Sequence, residues 1–143
     1  MDEQFLEATV SLRGAICAPD GRVLTIRRAS DGGWELPGGR INDGEAVVEG
    51  LEREILEETG LTVQVHQPVH AVTWHNDRSQ GRFAVYYHCT TNGTEGPDVT
   101  LSHEHTDWAW LPESDLRERL STPQSTAVER ALAAGSVARP SGD

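Results

Sequence analysis

The sequence predicts an α/β fold, a single domain in which a mixed sheet lies between helices. Three observations support this. Runs rich in β-branched and apolar residues occupy 8–18, 22–28 and 34–36, and similar runs return at 62–74, 82–90 and 101–111. Between the two sets, residues 45–59 carry the period of an amphipathic helix. Two more helical patterns, 112–120 and 122–134, close the chain. At 143 residues the chain has the length of one domain, enough to bury a core without covalent or metal cross-links.

The first seven residues hold no pattern and are expected to form a loose start. Residues 8–18, ATVSLRGAICA, read as a strand with Gly14 as a candidate bulge. Pro19-Asp20-Gly21 supplies a turn, and 22–28, RVLTIRR, the next strand. Alternation puts Leu24, Ile26 and Arg28 on one face and Val23, Thr25 and Arg27 on the other, so Arg28 continues an otherwise apolar face. An arginine there is either a surface charge or a phosphate-binding guanidinium at the mouth of a cleft. Trp34-Glu35-Leu36 reads as a short strand, with Trp34 packing under the turn Pro37-Gly38-Gly39. Proline keeps Leu36 extended, and the glycines accept backbone angles closed to other residues.

The central helix is read from Glu45 to Thr59, with Asn42 and Glu45 at capping-box spacing, Asp43 as an alternative cap and Gly60 as a left-handed stop. At about 100° per residue, Val48, Leu51 and Ile55 form a core-facing stripe. Glu45, Glu49 and Glu52 point to solvent. Ala46, Gly50, Glu54, Glu57 and Glu58 share the remaining sector. That sector is unfavourable for a plain helix. Glu54 and Glu58 repel at i,i+4, Glu57 and Glu58 sit at the negative end of the dipole, and an interior Gly50 costs about 1 kcal/mol relative to alanine. A bound divalent cation would reverse the charge terms, and small residues at 46 and 50 would let a ligand or another segment approach the backbone. A solvated acidic helix is the plain alternative.

Beyond the helix, residues 62–74 read as one or two strands broken at Pro68, paired across the polar turn 75–81 with the strand 82–90. Residues 91–100 hold two glycines and a proline and are expected to loop. In 101–111, Trp108 and Trp110 share a face. Pro112 opens a helix with Glu113 and Asp115 in its first turn. Thr122 caps the last helix, and Gly135 ends it. The domain is thus expected to span 1–135, with a disordered tail at 136–143.

Composition narrows the function. A net charge of −11 opposes stable binding to nucleic acid, so any phosphorylated small molecule must be met by local cations. No apolar run approaches the ~20 residues of a membrane helix, and Met-Asp-Glu-Gln-Phe lacks the parts of a secretory signal. Cys17 and Cys89 are expected to be buried free thiols in a reducing cytoplasm.

The spacing of the central stretch is specific. Gly39 is followed after five residues by Glu45, then after seven by Arg53-Glu54-Ile55, after one by Glu57-Glu58, and after one by Gly60-Leu61. Every fixed position of the Nudix box is filled, and the chain resembles the Nudix hydrolase family. The resemblance implies the α/β/α Nudix sandwich and a hydrolase cleaving a nucleoside diphosphate linked to another moiety. Mg²⁺, or alternatively Mn²⁺, would serve as cofactor. By the same resemblance Glu54, Glu57 and Glu58 hold metal or position and deprotonate water, and the Gly38 carbonyl adds a ligand. Arg53 orients the glutamates, and Arg28 binds substrate phosphate. Glu104, six residues before Trp110, is the acid that would complete the metal site.

His103-Glu104-His105 as a transition-metal clip is a weak signal. His66, His70, His75 and His88 read as ordinary strand residues. Trp74, Phe83, Tyr86 and Tyr87 are core aromatics or base-stacking ones. The resemblance also allows a homodimer. Two other classes compete: a non-hydrolytic Nudix-like nucleotide sensor, opposed by the complete set of carboxylates, and an isomerase-type relative acting on isoprenyl diphosphates, whose additional motifs are missing.

Overall fold

The structure, a computed structural model, describes residues 3–93 and 96–138. In chain order its elements are β1 (Ala8–Cys17), β2 (Val23–Arg28), β3 (Trp34–Glu35), β4 (Gly38–Arg40), α1 (Val47–Thr59), β5 (Gln64–His75), β6 (Gly81–Thr90), β7 (His105–Leu111), α2 (Glu113–Arg119) and α3 (Thr122–Ala138). The strands form one mixed sheet. β1 runs parallel to β6 over its whole length and antiparallel to β4 and β2. β5 flanks β6, while β3 and β7 both pair β2.

Period-two alternation divides the core between the two faces of this sheet. Leu12, Ile16, Leu24, Ile26, Cys89 and Trp110 pack with Leu51 and Ile55 of α1. On the other face Ala15, Cys17, Val23, Ala84 and Tyr86 pack with Leu116 of α2 and Ala127, Val128 and Ala131 of α3. This is the expected sandwich, with α1 on one side and the terminal helices on the other. Both cysteines are buried and free, and burial pushes the Cys17 thiol up to about 12.

Several local expectations are corrected. Gly14 makes no bulge, since the β1–β6 register is continuous through it. A side chain there would press to 3.0 Å on both Cys89 Sγ and Ile55 Cδ1, so Gly14 is where α1 sits down on the sheet. Gly38 and Gly39 continue from the proline as strand β4 rather than as a turn. Gly38 adopts φ +148° because the β1 backbone at Leu12 and Arg13 occupies the place of a Cβ. Pro68 does not break β5; the register slips on either side of it and the strand continues to His75.

The central helix starts at Val47, and neither Asn42 nor Asp43 caps it through its side chain; Ala46 is the N-cap. The Asn42 amide instead donates to Glu45 Oε1 at 2.9 Å. Val48 lies in the first turn, before the helix meets the sheet, and is 39% exposed rather than core. Gly135 does not end α3, which continues to Ala138. The expected tail is therefore helical over its first residues, and 139–143 fall outside the described residues.

Candidate active site

The last two turns of α1 deliver Glu54, Glu57 and Glu58, and Arg53 ties this end of the helix to the loop before it. Its guanidinium donates to Glu45 Oε2 at 2.6 Å, to both Glu57 oxygens at 3.0 and 3.1 Å, and to Glu54 Oε1 at 3.2 Å. Arg53 is thus hydrogen-bonded to three glutamates. Glu45 is the exception to the wheel reading. It precedes the helix, so its carboxylate folds back to Arg53 instead of pointing to solvent. The Arg53 bonds and the Asn42 amide hold its pKa below the usual carboxylate range. Gly50 is small because Glu45 and Ile41 lie over it, with Glu45 Oε1 3.0 Å from the place of a Cβ.

Glu58 is buried, and the Gly38 amide donates to its Oε1 at 2.7 Å. Burial, opposed by that bond and by Arg13 and reinforced by Glu35 and Glu54, pushes its carboxyl up to about 8. Burial also raises Glu54, against the pull of Arg53 and with the push of Glu57 and Glu104. Glu104 therefore lies within electrostatic reach of the helix acids, although it is itself exposed. Among the described residues no three His, Cys, Asp or Glu side chains close into a cage; Arg53 holds Glu57 and Gly38 holds Glu58. Gly39 lies against Glu54, whose Oε2 would be 2.5 Å from a Cβ. Gly39→Ala is expected to displace the Glu54 carboxylate and cut turnover roughly 10- to 100-fold with an unchanged circular dichroism spectrum. Full turnover would remove Glu54 from the site.

Beside the helix acids lies a network absent from the sequence reading. Glu35 on β3 accepts from Arg28 Nη1 at 2.8 Å through Oε1, which also faces Arg13 Nη2 at 3.4 Å. Its Oε2 is 2.8 Å from His105 Nε2. Burial pushes the Glu35 carboxyl up, but Arg13, His105 and Arg28 together hold it below its ordinary range. Arg13 also donates to the Leu36 carbonyl at 2.7 Å. His105 is buried here rather than clipping a metal with His103, which is exposed. Arg13 interrupts an apolar strand, and Glu35 stands between Trp34 and Leu36. A charge in such a place must be paired, and that was the available signal.

Arg28 joins Glu35 and Asp31. It opens on a cavity of about 620 Å³ that Glu35 also lines, together with Arg13, Arg82, Trp34 and Tyr86. Arg119 lies over the Trp34 ring at 4.6 Å and borders the same cavity. Of the expected aromatics, Trp74 and Tyr86 line this cavity, Tyr87 packs in the α1-side core, and Phe83 is exposed.

A family model for the NUDIX domain matches residues 8–131. The chain belongs to the Nudix family. This Nudix hydrolase is 36% identical over 113 residues to a MutT-like protein of Streptomyces ambofaciens, covering 79% of this chain and 70% of that one. It is 29% identical over 112 residues to the nucleoside triphosphatase NudI of Escherichia coli O139:H28, covering 68% and 77%. Its fold matches the crystal structure of a MutT protein from Methanosarcina mazei Go1 with TM-score 0.76 at 26% identity, over 93% of this chain and 99% of that one. It also matches a C. elegans Ap4A hydrolase with TM-score 0.77 at 21% identity, over 92% and 100%, a likeness of fold. As a Nudix hydrolase it acts on phosphoric anhydride bonds of small molecules. No helix among the described residues is long and apolar enough to cross a membrane.

Proposed function

We propose that this Nudix hydrolase is a divalent-metal-dependent pyrophosphohydrolase. Its substrate would be a nucleoside diphosphate linked to another moiety: a nucleoside triphosphate, a nucleotide sugar or a dinucleotide. The observation that carries this reading is that Arg13 and Glu35, which line a cavity of arginines and aromatic rings, also act electrostatically on Glu58 of α1. In a chain of net charge −11, arginines gathered in one cavity suit a polyphosphate. The nucleoside triphosphatase relative supports the nucleotide part of the reading.

The acidic cluster fits a hard cation such as Mg²⁺ or Mn²⁺, because its donors are all oxygens. Burial first, and neighbouring acids second, raise both Glu54 and Glu58, so a cation bound beside them would favour their charged forms, and Gly39 leaves room for Glu54. The Gly38 carbonyl, Glu54, Glu57, Glu58 and Glu104 would hold the ion. When bound, such an ion neutralises charge on the anhydride oxygens and makes an attacking water more acidic.

The rest of the work falls to side chains. Arg53 is bonded to Glu54 and Glu57 and would position them rather than touch substrate. Glu58 commits Oε1 to the Gly38 amide, which leaves Oε2 to take a proton from water. Arg28 and Arg82 offer planar, forked donors to phosphate oxygens. Trp74 offers a ring face to a base, whereas Tyr86 is buried with His70 stacked on it.

The test is hydrolysis of nucleoside triphosphates, nucleotide sugars, ADP-ribose, dinucleotides and dinucleoside polyphosphates to a nucleotide plus the remaining phosphorylated fragment, both products being quantified, with and without Mg²⁺ or Mn²⁺. Turnover of at least one class is expected only with metal, and only traces with Glu57→Gln. Silence across the panel, with nucleotides still raising the melting temperature, would replace the reading with a nucleotide sensor.

A further inference from the structure

Under the last turns of α3 lies a second cavity, of about 390 Å³, within the range of small-molecule sites. It shares no lining residue with the arginine cavity. β1 lends Arg13 to one and Cys17 to the other, about 13 Å apart along an extended strand. α3 likewise lends Gln124 to one and Gly135 to the other.

His88 lines this second cavity. It is 5% exposed, and its ring lies tilted by 32° against that of His66 with centroids 4.9 Å apart. His66 shares its Nε2 with the Thr90 hydroxyl at 2.8 Å. Among the described residues, neither ring nitrogen of His88 has a hydrogen-bond partner, and neither is sealed from the cavity. Burial, then the neighbouring His66, lowers the His88 pKa, so the ring is neutral at pH 7 and presents one donor and one acceptor.

Gly135 explains why the ring stays open. It lies inside α3, where glycine is the poorer helix former. A Cβ at this position would rest 3.4 Å from His88 Nε2 and 3.6 Å from Cε1, an ordinary contact. Packing therefore does not demand glycine, and its missing side chain leaves the cavity open above Nε2.

The lining also selects by charge. Among the described residues, no lysine or arginine borders the cavity. Asp20 stands at its edge with its carboxylate on Arg22 at 2.6 Å. Among these residues a phosphate would meet the His88 ring and the Asp20 carboxylate rather than a cation, which favours an uncharged ligand. Gln67 and Thr90 add further donors and acceptors, while Ala18 and Leu132 give apolar walls.

We infer that this cavity is a second binding site, for an uncharged nitrogen heterocycle of nucleobase or nucleoside size whose polar edge pairs with the His88 ring. The test is nuclear magnetic resonance of the full chain with labelled histidine, titrated with adenosine, guanosine, cytidine and uridine, and with AMP as a charged counterpart. At least one nucleoside is expected to shift the His88 ring signals saturably, with AMP at least tenfold weaker. Gly135→Ala is expected to weaken that binding at least tenfold while hydrolytic turnover is kept and the melting temperature does not fall. His88→Phe should lose it as well; if that variant fails to fold, Gly135→Ala decides alone. No His88 response to any nucleoside at millimolar concentration would overturn the inference. So would unchanged binding in Gly135→Ala, AMP binding as tightly as the nucleosides, or a response to Zn²⁺ alone.

Discussion

Glu58→Gln is expected to lower turnover by about 100- to 10,000-fold without loss of fold. Glutamine keeps the volume and keeps an oxygen to accept the Gly38 amide, which reaches Glu58 Oε1 at 2.7 Å. It removes only the charge and the proton-accepting oxygen. The same substitution tests the electrostatics of the metal-free protein. With its carboxyl pushed up to about 8 in the fold, Glu58 holds a proton that the unfolded chain has already lost above its ordinary value of 4.5. Stability therefore falls as pH rises through that window, and the loss is complete above the folded value. A shift of this size corresponds to at most roughly 5 kcal/mol. In chelator, the melting temperature of the natural protein should drop between pH 5 and 8, and that of Glu58→Gln should drop less. Full turnover with a parallel melting profile would remove Glu58 from the site.

Glu35→Leu is expected to destabilise the protein by roughly 3 kcal/mol, because removing one partner of a buried charge network leaves the others uncompensated. Arg13, Arg28 and His105 all converge on this carboxylate. Leucine matches the bulk but strands two guanidinium groups and an almost fully buried imidazole. Glu35→Gln should recover part of the loss, since an amide oxygen can still accept from Arg28 Nη1, 2.8 Å away in the natural protein. Urea unfolding of the three proteins measures this. Equal midpoints would mean that the network contributes nothing to stability.

The sandwich was legible because each strand and helix carries its own period, and the α1 acids were legible because they share one helical face. The partners of Glu35 were not, because they are joined by folding alone: His105 lies 70 residues away in sequence. Gly14 and Gly135 were misread for a related reason. Local rules assign a lone glycine to a bulge or a helix end, whereas Gly14 admits Ile55 and Cys89, and Gly135 leaves His88 uncovered. Glu45 was misplaced because a helical wheel was extended two residues beyond the first helical turn.

The parallel register of β1 and β6 sets Ile16 opposite Cys89 and Cys17 opposite Thr90. The two thiols thus point to opposite sides of one sheet, Cys89 under α1 and Cys17 among the residues beneath α2 and α3. An alkylating reagent could reach Cys89, which is fully buried, only when the α1 layer lifts. Cys17 borders the second cavity and can be met by a reagent that enters there. The natural protein, with no added label, therefore carries a clock for the lifting of α1 and, in Cys17, a reporter of whether the second cavity is filled.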